Sequence, residues 1–342
     1  MIEHGGDVFT PSTCGALDFS SNVSPLGMPV EVRRAVMDSA CLWDKYPDPH
    51  CRQLRDALGQ AHGVPSQWVL CGNGAADLIY RLCLALPAGR ALVTAPAFLE
   101  YEAALHVAGW HIQRHMLLPE EDFQLTSRIL NDIVPGIGLV FLCHPNNPTG
   151  QPIDGQLLRE IAQQCVRVGA VLAVDECFLD FVEGGTSAIH LLGGRLVVFK
   201  AFTKLYGMAG LRLGYALCGD EQLVQAMEEA GPPWSVSAPA QAAGVAALAV
   251  EDWPAKVRKV VTPERQWMKE QMKQLGLSPM GEANYLFFKA SAGLKQRLLG
   301  HGILIRDCGN YPGLEEGWYR VAVRSRGDNI RLLMALREVL YG

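Results

Sequence analysis

Between about Val64 and Ala230 the chain alternates two patterns. Short runs of consecutive apolar residues (QWVLCG, RALVTAPAF, IGLVFLC, GAVLAVDEC, RLVVFKAF, LGYALCG) are separated by stretches with helical spacing, such as Ala75–Leu86 and Gly155–Val168. Runs that stay apolar instead of alternating predict strands covered on both faces. Strand–helix alternation then predicts an α/β fold with a mostly parallel central sheet flanked by helices. The C-terminal third reads differently. A helical region from roughly Pro239 to Leu275 is expected to bend or break near Pro254 and Pro263. ANYLFFKA, a helix near Leu294–His301, ILIRDC, WYRVAVRS and a last helix over Asp328–Leu340 then predict a smaller α+β unit. Before Val30, seven glycines and prolines from Gly5 to Pro29 predict an extended arm. The expected organisation is an arm over 1–30, a large domain over 31–238 and a small domain over 239–342.

Composition narrows the classes. The 342 residues are 49% hydrophobic, enough for a sizeable core. Net charge is −5 without a long basic run, so no nucleic-acid partner is expected. Lys256, Arg258 and Lys259 read as a solvated helix face. Ten cysteines are scattered, none in a C-x-x-C pair and several in apolar runs. They read as reduced thiols of a cytoplasmic protein rather than a disulfide framework. MIEHGGDVFT has no apolar signal segment, and no stretch predicts a membrane span.

Four segments carry candidate chemistry. In CGNGAAD (71–77), after a strand and opening a helix, the N–H groups of Gly74, Ala75 and Ala76 are placed to meet an anion. Alone it reads equally well as a glycine-rich turn. HPNNPTG (144–150) puts Asn146 and Asn147 at a strand's C-terminal end, where open α/β sheets bind ligands, although NNPTG is also simply a good turn. Asp175 ends an apolar strand, where a carboxylate needs a cationic partner. That partner is either a salt-bridging side chain or a ring nitrogen of a cofactor. VVFKAFTKLYGMAGLRLGY supplies Lys200, Lys204 and Arg212. A lysine amine can condense with a carbonyl, and arginine can grip a phosphate through two N–H groups.

Taken together and in this order, the segments resemble the pyridoxal 5′-phosphate enzymes of the aspartate aminotransferase type, over essentially the whole chain. The resemblance implies that cofactor. It makes Lys204, in T-K-x-x-x-x-x-G-L-R-x-G-Y, the lysine that links to the cofactor, with Thr203 and Arg212 on its phosphate. It makes Asp175 the acid at the pyridine nitrogen, Asn147 the amide at the ring hydroxyl and Phe98 the aromatic stacked on the ring. Tyr46, in KYPD, is similar to the tyrosine that a neighbouring subunit lends to the phosphate, which implies a homodimer with shared sites. Lys200 is left structural. Phe178 stands where related aminotransferases have a tyrosine, and Ala201 where a serine or threonine often assists the phosphate.

HGGDV, LDFSSNVSPLGMPV, KYPDP, PPWSVSA, ANYLFF, ILIRDCGNYPGL and YRVAVRSRGDN resemble the threonine-phosphate decarboxylases of cobalamin biosynthesis, relatives of histidinol-phosphate aminotransferases. This implies decarboxylation of L-threonine O-3-phosphate to (R)-1-amino-2-propanol O-2-phosphate, with L-serine O-phosphate as a second candidate substrate. A histidinol-phosphate-type aminotransferase is the alternative, and a non-catalytic sensor module of this fold a third reading. For the substrate, the resemblance assigns the α-carboxylate to Arg320 and the phosphate to Arg306, with Asn147 beside them. His4, Asn22 and Arg324 are further contacts, Arg324 on the expectation that it shares a strand face with Arg320.

Overall fold

The computed structural model describes residues 4–342; the first three residues of the expected arm lie outside it. The strands are β1 (Leu17–Asp18), β2 (Val69–Gly72), β3 (Arg90–Ala95), β4 (His111–Met116), β5 (Ile137–Cys143), β6 (Val171–Asp175), β7 (Leu196–Ala201), β8 (Gly214–Cys218), β9 (Tyr285–Lys289), β10 (Ile303–Leu304), β11 (Arg306–Asp307) and β12 (Trp318–Ala322). The helices are α1 (Val30–Asp38), α2 (Arg52–His62), α3 (Ala75–Ala85), α4 (Glu100–Val107), α5 (Gly155–Val168), α6 (Phe202–Leu205), α7 (Glu221–Glu229), α8 (Ala238–Leu248), α9 (Trp253–Gln274), α10 (Leu294–Gly300) and α11 (Arg326–Tyr341).

A seven-stranded sheet runs β2-β8-β7-β6-β5-β3-β4. Pairing is parallel from β7 to β4, and β8 is antiparallel to both β7 and β2. Each apolar strand feeds two cores, as its unbroken hydrophobic run requires. In β5, Val140 and Leu142 pack on one side with Leu58 of α2, Leu158 and Ile161 of α5 and Ala243 of α8. Leu139 and Phe141 pack on the other with Leu78 and Leu82 of α3, Leu105 of α4 and Met227 of α7. Helix ends follow local chemistry: Asp154 caps α5 by accepting from Gln156 and Leu157 N–H, and Gly169 ends it in a left-handed conformation. The fold is thus the expected mostly parallel α/β sheet.

The C-terminal sheet, β11-β12-β9, is antiparallel. Its core joins Phe288 and Val321 to Val257 and Met268 of α9 and Leu332 and Leu336 of α11. The N-terminal segment is tied to this end of the molecule: β1 pairs in parallel with β10, and Asn284 Nδ2 donates to Asn22 O at 3.0 Å.

Two local expectations change, at Pro263 and Arg324, and one strand, β4, adds to those expected. The helical region breaks before Pro254, which sits in the first turn of α9, but Pro263 lies inside that helix without ending it. Packing of Val257, Val261 and Met268 on the core outweighs the missing hydrogen bond. The strand β4, HIQRHM, has no apolar run because only His115 of it is buried. And β12 ends at Ala322, so Arg324 leaves the strand instead of sharing a face with Arg320.

Candidate active site

The C-terminal ends of β5, β6 and β7 open on one cavity of about 330 Å³, the position where parallel sheets bind ligands. It gathers His4, Asn22, Ala75, Ala76, Phe98, Asn147, Asp175, Thr203, Lys204, Arg212, Arg306 and Arg320. Three expected residues do not line it. Gly74 lies just behind: its φ of +82° is one that favours glycine, and an added Cβ would stand 2.6 Å from Arg212 Nη2 and push the guanidinium aside. Tyr46 is 81% exposed, its ring tilted by 31° against Trp234 with centroids 4.7 Å apart. Arg324 turns away: its Nε donates to Asp328 at 3.4 Å and its Nη1 to Asp18 O at 2.9 Å.

Asp175 ends β6 and is buried. Tyr101 Oη donates to its Oδ2 at 2.6 Å and the Cys177 N–H to its Oδ1 at 2.9 Å. No cationic side chain makes an ion pair with it among the described residues. The next residue, Glu176, turns the other way to Lys200, whose Nζ lies 3.6 Å from it and 3.2 Å from Asp180. Burial works against the Lys200 proton, but the two carboxylates outweigh it and raise its pKa. Lys200 is thereby engaged outside the cavity.

Lys204 follows β7 in the short helix α6, its Nζ 5.9 Å from the centroid of Phe178. Burial pushes its pKa down to about 8, Arg320 and Arg212 adding to the effect while Cys177 and Asp175 oppose it. About half of such amines are uncharged near pH 8, a state an exposed lysine reaches only near pH 10.4.

Arg306 and Arg320 face each other directly across the β11–β12 register, both buried. Arg306 donates to Asn310 Oδ1 at 2.8 Å and lies over the Tyr311 ring at 5.2 Å. Arg320 donates to Asn147 Oδ1 and, at 2.9 Å, to Ser20 O. Its Nε and both amide atoms of Asn22 are buried without a partner. Such orphaned donors and acceptors are costly unless a ligand meets them. At the rim, His4 bonds Glu100 at 2.7 Å; that contact and the Tyr80 hydroxyl hold the Glu100 carboxyl below its ordinary range against burial.

Two contributors were not anticipated, Tyr101 and Tyr311. Both lie inside quoted segments, APAFLEY and GNYPGL, yet their flanking residues, Glu100 and Glu102 or Asn310 and Pro312, mark neither tyrosine. The set fits pyridoxal phosphate: an uncharged amine for its carbonyl, a strand-end carboxylate for its ring nitrogen, Phe98 for its face, and Arg212 with the α3 N-terminus for its phosphate.

The family described as aminotransferase class I and II matches residues 15–338. The threonine-phosphate decarboxylase of Salmonella typhimurium is 39% identical over 99% of this chain and 97% of its own length. The adenosylcobalamin biosynthesis bifunctional protein CobDQ of Leptospira interrogans is 26% identical over all of this chain and 41% of that protein. The crystal structure of the histidinol-phosphate aminotransferase from Clostridium acetobutylicum superposes with a TM-score of 0.89, covering 95% of this chain and 99% of that one. At 23% identity, that likeness establishes the fold alone.

Proposed function

The chain belongs to the family of class I and II aminotransferases, and within it we propose a pyridoxal phosphate-dependent decarboxylase. Its substrate is L-threonine O-3-phosphate and its product (R)-1-amino-2-propanol O-2-phosphate, for cobalamin biosynthesis, a reading supported by the two relatives that carry those names. The observation that carries it is the buried pair Arg306 and Arg320 in register beside Lys204. Like charges placed directly opposite each other are unfavourable in a sheet. A ligand with two anionic groups a few bonds apart offsets that cost. O-Phosphothreonine has a carboxylate on Cα and a phosphate on the Cβ oxygen. Histidinol phosphate brings the phosphate without a carboxylate.

When bound, the cofactor supplies a carbonyl for the substrate amine and a ring that takes up the electron pair left when a bond to Cα breaks. The protein's residues do the rest. Lys204 would anchor the cofactor and could hold or pass a proton at Nζ. Asp175, held by Tyr101 and the Cys177 N–H, keeps the pyridine nitrogen protonated. The N–H groups of Ala75 and Ala76, with Thr203 and Arg212, would take the cofactor phosphate, whereas the Gly74 N–H, expected to join them, donates to Gly72 O at 2.8 Å. Phe98 covers the ring and Asn147 meets its hydroxyl. Arg320 would grip the α-carboxylate and so orient the substrate. Arg306, with His4 and Asn22, takes the substrate phosphate. Arg324 is engaged by Asp328 and Asp18 and is left out.

We further infer a homodimer in which Tyr46 reaches the neighbouring site, and a cytoplasmic location. Phosphorus NMR of the protein with pyridoxal phosphate, O-phosphothreonine and 2-oxoglutarate tests the chemistry. Aminopropanol phosphate with the keto acid untouched is the expected result. Glutamate formation would instead move the protein to the histidinol-phosphate-type aminotransferases.

A further inference from the structure

The loop that opens α3 contains an acid where an anion site least favours one. Asp77 is the third residue of α3, in the same first turn as Ala75 and Ala76. Its carboxylate is not solvated freely: Arg81 Nε and Nη2 donate to Oδ1 and Oδ2 at 2.9 and 3.1 Å, a two-pronged pair one helical turn apart. The Arg81 side chain is only 5% exposed. Asp77 Oδ2 also accepts the Asn73 N–H at 2.8 Å, the reach-back of a capping acid onto the residue before the N-cap. From the other side, Gly231 lies against the guanidinium, where an added Cβ would be 2.1 Å from Arg81 Cζ. The wall behind the pair is therefore shaped to Arg81.

We propose that Asp77 and Arg81 are positioning residues for the phosphate cradle formed by the N–H groups of Ala75 and Ala76. Asp77 pins the loop entrance through Asn73, so the following N–H groups are aimed before any anion arrives. Arg81 cancels the charge of Asp77, so that the pinning acid does not repel the phosphate. Neither residue lines the cavity; both act through the loop. The inference rests on the reading that this loop holds the cofactor phosphate.

The test compares pyridoxal phosphate with pyridoxal, which lacks the phosphate. Cofactor-stripped protein is titrated with each, followed by visible absorbance and tryptophan fluorescence. Wild type is expected to prefer the phosphorylated form strongly. R81M, which leaves Asp77 uncompensated, is expected to cut that preference about tenfold or more, the effect of losing one charge-assisted contact. Adding D77N to R81M removes the repelling charge and is expected to restore part of the preference. G231A, which displaces Arg81 without deleting it, is expected to act as R81M does and covers the case in which R81M does not fold. Equal weakening of both ligands, or no recovery in the double variant, would overturn the proposal. A wild type that binds both ligands equally would overturn the phosphate assignment of the loop itself.

Discussion

Lys204 binds its proton weakly because burial strips its hydration and two arginines stand nearby. This has a stability consequence whose sign is fixed. The folded-state pKa of about 8 lies below the unfolded one, so between those values the unfolded chain holds more protons. Stability of the cofactor-free protein should therefore rise with pH through this window, other groups aside. Lys204→Met is expected to stabilise the cofactor-free protein by about 1–3 kcal/mol at pH 7, an advantage that fades toward pH 10.5. Urea unfolding of both proteins at the two pH values measures it, and the same variant should lose turnover and the visible absorbance of the bound cofactor. A subtler effect is expected at Tyr101, one of the two donors to Asp175. Tyr101→Phe should lower kcat by about 10–100-fold, the range for a hydrogen bond to a charged group, with KM for O-phosphothreonine nearly unchanged. Asp175 was legible in the sequence because an acid that ends an apolar run is conspicuous. Tyr101 was not, because its partner is 74 residues away.

Elements that are buried on both faces announce themselves, and those that are not stay hidden. The runs that became β5 and β6 were plain because each must satisfy two cores at once. The edge strand β4 needs only one buried residue, so its sequence is free to be polar. Register was equally hidden: Arg306 and Arg320 each attracted notice, but nothing in their segments says that they meet face to face. That meeting predicts a split in kinetics. Arg306→Met should raise KM for O-phosphothreonine by about 100-fold or more, on the scale of a buried bidentate phosphate contact, and leave binding of unphosphorylated threonine unchanged. In α9, Pro263 interrupts the hydrogen-bond ladder of an otherwise continuous helix. Pro263→Ala is expected to stabilise the protein by about 1 kcal/mol, raising Tm by about 2–3 °C in calorimetry.

For the whole molecule, the exposed aromatics Tyr46 and Trp234 meet on the outer surface, their rings 4.7 Å apart between centroids and tilted by 31°. Isolated exposed apolar residues need no explanation, but an aromatic pair in contact outside the core suits a subunit contact. If Tyr46 serves the neighbouring site, mixing two inactive chains should restore activity. A mixed dimer of Tyr46→Ala and Lys204→Ala chains contains one site with both residues intact. Turnover recovered after co-refolding, and absent from either variant alone, is the expected outcome. Homodimers that lose nothing on Tyr46→Ala would remove the tyrosine from the site.

The pairing of β1 with β10 ties residues 17–18 to residues 303–304. On the ribosome, then, the first strand emerges long before its mate exists. The large sheet can assemble early, complete from β2 to β8, with Lys204 and Asp175 already in place. Yet the guanidinium of Arg320 and the Ser20 carbonyl it binds can meet only when synthesis is nearly over. A nascent chain would thus be able to hold the cofactor before it could hold the substrate, so that the reactive half of the site waits, in time as well as in space, for the half that selects what reacts.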